Sequence, residues 1–81
     1  MRFDMKLYLI GLDFKERPNK NTFMFEREDG YVVRFFKDEE TGRSKMSIKN
    51  TMMKYSHICS CVVPQRMDLA NTLFELLEIK K

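Results

Sequence analysis

The dipeptide Asp29-Gly30 constrains this chain more than any other feature, because it stands between two runs that read as β-strands, Thr22 to Glu28 and Tyr31 to Lys37. A two-residue type I′ turn needs positive φ at both central positions, and an Asp-Gly pair accepts that. Such a turn sets the cross-strand partners, with Phe25 opposite Arg34 and Phe23 opposite Phe36. One face of the hairpin then holds Phe23, Phe25, Arg27, Val32, Arg34 and Phe36. The other holds Met24, Glu26, Glu28, Tyr31, Val33 and Phe35.

The remaining elements follow from periodicity and punctuation. Arg2 to Leu12 alternates, with Phe3, Met5, Leu7 and Leu9 on one side and Tyr8, Ile10 and Leu12 on the other, which predicts a strand buried on both faces. Asp13 to Asn21 is polar, contains Pro18 and reads as a loop. Asp38-Glu39-Glu40-Thr41-Gly42 is a second turn, and Arg43 to Lys49 a further strand. Asn50 to Ser56 fits a loop, a short helix or part of a strand. His57 to Val63 is β-rich and stops at Pro64, which suits a first helical turn. Beyond it, Met67, Leu69, Ala70, Leu73, Phe74, Leu76 and Leu77 fill an arc of roughly 180° on a helical wheel. The expected fold is therefore α+β: an antiparallel sheet of four to five strands with one C-terminal amphipathic helix packed on it, in a single domain over 1–81.

Composition narrows the class. At 81 residues, 43% hydrophobic and 33% charged, the chain is globular with a thin core, which predicts a homodimer. No apolar run approaches the roughly 18 residues of a membrane span, and Asp4 and Lys6 break any signal-peptide core. Cys59 and Cys61 are too close for an ordinary disulfide, which points to a reducing, cytoplasmic setting. With His57 they share strand parity, and imidazole plus two thiolates is a zinc-type set. A closed site needs a fourth ligand and no other Cys or His exists, so two small thiols beside a half-exposed imidazole, with no metal or other cofactor, is the expectation. No phosphate-binding loop, dinucleotide fingerprint, zinc-protease motif or nucleophile elbow occurs, and one His gives acid–base catalysis little to build on, so no enzyme is expected.

Charge is unevenly distributed along the chain. From Thr41 to Met67 there is no acidic residue, while Arg43, Lys45, Lys49, Lys54 and Arg66 all fall there. In the fourth strand Arg43, Lys45, Ser47 and Lys49 share one parity, and Ser44, Met46 and Ile48 the other. A four-residue loop, Asp38 to Thr41, would put Met46 and Ile48 with Tyr31, Val33 and Phe35, and Arg43 and Lys45 with the phenylalanines. A five-residue loop would instead put Met46 and Ile48 beside the phenylalanines, making that face the core. The first arrangement builds an aromatic-basic sheet face from Phe23, Phe25, Arg27, Arg34, Phe36, Arg43, Lys45 and Lys49. Bases stack on rings while cations follow the backbone, so such a face suits single-stranded nucleic acid. The order of elements resembles the Pur and Whirly single-strand binders. The expectation is a small binding or regulatory protein. The alternative is an inhibitor or adaptor of the phage or mobile-element type that binds a host protein through the same Phe and Met surface.

Overall fold

The computed structural model describes residues 3–18, 22–54 and 56–81. It contains a helix α1 (Met5–Gly11), strands β1 (Lys15–Pro18), β2 (Phe23–Glu26), β3 (Tyr31–Lys37), β4 (Ser44–Asn50) and β5 (His57–Val62), and a helix α2 (Met67–Leu76). The strands form one antiparallel meander in the order β1-β2-β3-β4-β5. The α+β class and the C-terminal helix are as expected, and a second helix stands at the N-terminus.

That N-terminal helix replaces the strand expected over Arg2 to Leu12, of which Arg2 lies outside the described residues. A short run apolar on both parities fits a buried strand and a helix equally. Met5 and Leu9, one turn apart, are buried, whereas Leu7 and Ile10 face outward. The Asp4 side chain caps the helix by accepting from the Lys6 amide at 2.9 Å. The loop expected over Asp13 to Asn21 holds an exposed four-residue edge strand, β1, that ends at Pro18. Residues 19–21 of that loop lie outside the described residues. Of the ambiguous 50–56 segment, Asn50 closes β4 and 51–54 make a turn, while 55 lies outside the described residues.

Both helices end in the same way. Asp13 and Glu78 occupy the left-handed region at φ 71° and 58°. The next amide in each case reaches back across the last turn, Phe14 to the Leu9 carbonyl at 3.1 Å and Ile79 to the Phe74 carbonyl at 2.9 Å. Those are Schellman motifs, and their apolar partners Leu9–Phe14 and Phe74–Ile79 all lie in the core.

The β2–β3 hairpin departs from the two-residue turn. The Gly30 amide donates to the Arg27 carbonyl and the Arg27 amide to the Tyr31 carbonyl, each at 3.0 Å, with Gly30 at φ 98°. This is a three-residue loop with a glycine bulge, the other hairpin solution that uses glycine at a positive-φ position. The register slips by one, pairing Phe25 with Val33 and Phe23 with Phe35. In the β3–β4 hairpin Lys37 pairs with Ser44, so the loop has six residues, 38–43. Six has the parity of the four expected, and Met46 and Ile48 duly join Phe35 and Val33. Phe25, Val33, Met46 and Ile48 then share the sheet face that both helices cover, together with Met5, Leu9, Ala70 and Phe74. Tyr8 locks α1 to α2, meeting Phe74 edge to face at 5.6 Å and donating its hydroxyl to Asn71 Oδ1 at 2.7 Å.

Candidate functional site

The face that the helices leave open is set by the same registers. Strand alternation places Lys15 and Arg17 of β1 there, then Met24 and Glu26, Val32, Arg34 and Phe36, Lys45, Ser47 and Lys49, and finally Ser60 and Val62. Cross-strand pairing arranges them in rows. Arg17, Met24, Arg34, Ser47 and Ser60 make the middle row, with Phe36, Lys45 and Val62 in the next. Val32 is buried and Met24 and Phe36 are half-buried, so they form an apolar floor between charged side chains. Among the described residues, five strand cations stand on this face against two carboxylates, Glu26 within it and Asp38 reaching Lys45 from the end of β3, in a chain whose net charge is only +3.

The expected site residues divide between the two faces. Phe25 is fully buried on the covered face, meeting Phe35 edge to face at 5.8 Å, and offers no base a surface. Phe23 is on that face too, at its margin, 52% exposed, with the Lys6 ammonium 3.4 Å from its ring centroid. Arg27 is consumed by the turn. Its Nε and Nη2 donate to the Asp29 carboxylate at 2.9 and 2.7 Å, and its Nη1 donates to the Leu12 carbonyl at 3.0 Å. The guanidinium also lies 5.0 Å from the Phe14 ring and 5.4 Å from that of Tyr31. This hydrogen bonding holds the Asp29 carboxyl below its ordinary value and lifts the guanidinium still higher.

The structure does bring Arg34, Phe36, Lys45 and Lys49 together on the open face. Lys45 is held by Asp38 at 2.8 Å. Arg34 and Lys49 are exposed and make no ion pair among the described residues. Arg43 is exposed in the loop one residue ahead of β4. Lys15 and Arg17 escaped the sequence reading because their segment looked like a loop. The signal was their i, i+2 spacing ahead of a proline. Arg17 Nε lies 3.3 Å from Glu26 Oε2, an exposed pair of little energetic weight.

The proposed parity of His57, Cys59 and Cys61 fails at a bulge. Cys59 pairs with Ile48 and Cys61 with Met46 on the covered side, whereas His57 pairs with Lys49 and Ile58 is the extra residue. The imidazole is thereby separated from the thiols, and among the described residues no group of three His, Cys, Asp or Glu is arranged to hold a metal ion. Burial raises the pKa of both thiols, which keeps them protonated and poorly nucleophilic.

On the helical side a groove runs between α1 and the start of α2, lined by Phe3, Leu7, Tyr8, Leu12 and Met67. Leu7 and Met67 are 65% and 59% exposed there. No helix among the described residues is long and apolar enough to cross a membrane. Compared with known families, with curated proteins and with solved structures, the chain matches none.

Proposed function

We propose that this chain is a non-enzymatic binding protein whose open sheet face takes single-stranded nucleic acid. The observation that carries the reading is the concentration of Lys15, Arg17, Arg34, Lys45 and Lys49 on one face, where the carboxylates beside them are Glu26 at Arg17 and Asp38 at Lys45. Phosphates are the partner for spaced cations of this kind. Phe36 is the one phenylalanine on the face, over a floor of Met24 and Val32, so stacking is available at one position and phosphate contact supplies most of the affinity. Binding is therefore indifferent to sequence. The thin core supports self-association into a homodimer, and Cys59 and Cys61, too close in sequence for an ordinary disulfide, support a cytoplasmic setting.

Titration of a labelled oligothymidine by anisotropy over a range of salt tests this. Affinity is expected to fall as salt rises, with a log–log slope no steeper than about −3.5, or roughly −0.7 for each of five phosphate contacts. Arg34→Ala and Lys49→Ala should each weaken binding and flatten that slope, with the melting temperature almost unchanged because both side chains are exposed. Absence of binding by the wild type at low salt overturns the reading.

One observation favours a second reading, the exposed Leu7 and Met67 in the groove between the helices. A protein partner that inserts an apolar side chain there would make this chain an adaptor or inhibitor. Its binding would survive high salt and be lost in Leu7→Asp.

A further inference from the structure

The two edges of the sheet are built differently. β1 is short, carries Lys15, Glu16 and Arg17, and ends in Pro18, all of which discourage another strand from adding to it. β5 has none of these protections. It is six residues long, His57-Ile58-Cys59-Ser60-Cys61-Val62, without a Lys, Arg, Asp, Glu or Pro. The Val63 amide donates inward to the Ser44 carbonyl at 3.1 Å. By the alternation of an antiparallel ladder, the amides of Cys61 and Cys59 also point toward β4, and those of Ser60 and Val62 point out of the sheet, with no backbone partner among the described residues. The apolar cover also thins at this edge. Met46 and Ile48 of β4 are fully buried, but their β5 partners Cys61 and Cys59 are only half-buried.

We propose that β5 pairs with β5 of a second copy of this chain, antiparallel about Ser60, to make one continuous ten-stranded sheet. The inference rests on the self-association proposed above and supplies its interface. Self-pairing about Ser60 keeps Cys59, Ser60 and Cys61 on their own faces, as register requires, and the bulge at Ile58 takes His57 out of the pairing. Cys59 meets the partner's Cys61 on the covered side, and Ser60 meets the partner's Ser60 on the open side. Because β5 carries no formal charge, two copies approach without repulsion along the seam, and the nearest cation in the middle of the face, Lys45, is already paired with Asp38. The two-fold axis lies normal to the sheet. Both open faces therefore end on the same side and merge into one cationic surface roughly 45 Å across, at about 4.8 Å per strand.

Light scattering and sedimentation without nucleic acid test the interface apart from the binding reading. The wild type is expected to be a dimer at high micromolar concentration. Ser60→Pro removes an amide that the β4 ladder does not use and should give a folded monomer by circular dichroism. Ser60→Lys and Ser60→Glu should each dissociate, and an equimolar mixture of the two should recover a heterodimer. That recovery decides the matter if the proline variant fails to fold. A wild type that stays monomeric overturns both the self-association and its interface. A dimer that survives Ser60→Pro, Ser60→Lys and Ser60→Glu overturns the β5 interface alone.

Discussion

At Glu78 a side chain with no special tolerance for positive φ occupies the left-handed region at 58°, at the position that ends α2. The conformation is imposed because Ile79 must turn back onto Phe74 to complete the core. Glu78→Gly keeps the backbone and relieves the strain, and should raise stability by about 0.5–1 kcal/mol in a thermal or urea melt. Arg27 makes the opposite case, a side chain whose loss leaves a partner unsatisfied. Arg27→Met leaves the part-buried Leu12 carbonyl without its donor, while Asp29 passes to water, and should cost about 1–3 kcal/mol, most of it felt at the β2–β3 turn. The pair also has a pH signature. Asp29 has a lower pKa folded than unfolded, so its contribution is present above the ordinary carboxyl value near pH 4 and is lost as pH falls from there through the folded value. Urea melts between pH 6 and pH 3 should therefore show a shallower acid loss in Arg27→Met than in the wild type. Equal slopes would mean that other carboxylates carry the acid sensitivity.

At the scale of elements, the hairpin register is what separates core from site. A one-residue slip carries every side chain of a strand to the other face. The glycine bulge at Gly30 puts Phe25 under the helices and Phe23 at the margin of that face, and leaves Arg34 and Phe36 on the other. The bulge is held from the end of β4, where the Thr51 amide donates to the Gly30 carbonyl at 2.9 Å, and it admits only glycine, since a Cβ on Gly30 would lie 2.6 Å from Asn50 Oδ1. Phe25→Ala should cost about 3–5 kcal/mol of stability. Phe36→Ala, on the open face, should spare the fold far more and cost about 1–3 kcal/mol of oligonucleotide binding if a base stacks there. Measuring melts and anisotropy on both variants checks the two faces at once. Comparable destabilisation in both would contradict the assignment of Phe36 to the open face. The sequence carried the alternation of Lys45, Ser47 and Lys49 in β4, and the β3–β4 register adds Arg34 to their face, while Arg43 falls ahead of the strand. It did not carry the partners of those cations, because a turn containing Asp-Gly can close with two residues or with three.

Across the whole molecule, local pattern was sufficient wherever an element's own residues settle its period and its ends. β3, β4, β5 and α2 were legible that way. Even for α2 the apolar arc overstated the buried one: Ala70, Leu73, Phe74 and Leu77 turn toward the core, but Leu76 remains 77% exposed. The N-terminal run was illegible in isolation because its apolar residues satisfy a period of 2 and a period of 3.6 together. Only packing against the sheet, which buries Met5 and Leu9 but leaves Leu7 between them outside, selects the helix. β1 was illegible for a related reason, since an exposed strand of charged residues has no apolar alternation and forms only because β2 offers it an edge. The sequence by itself determined the antiparallel sheet, the C-terminal helix and the supply of cations, all properties of short stretches of chain. Tertiary structure decided which phenylalanines the helices cover and which cations share the open face. Those choices depend on register, and register is set by contacts such as Gly30 against Asn50, twenty residues apart, that no local window contains.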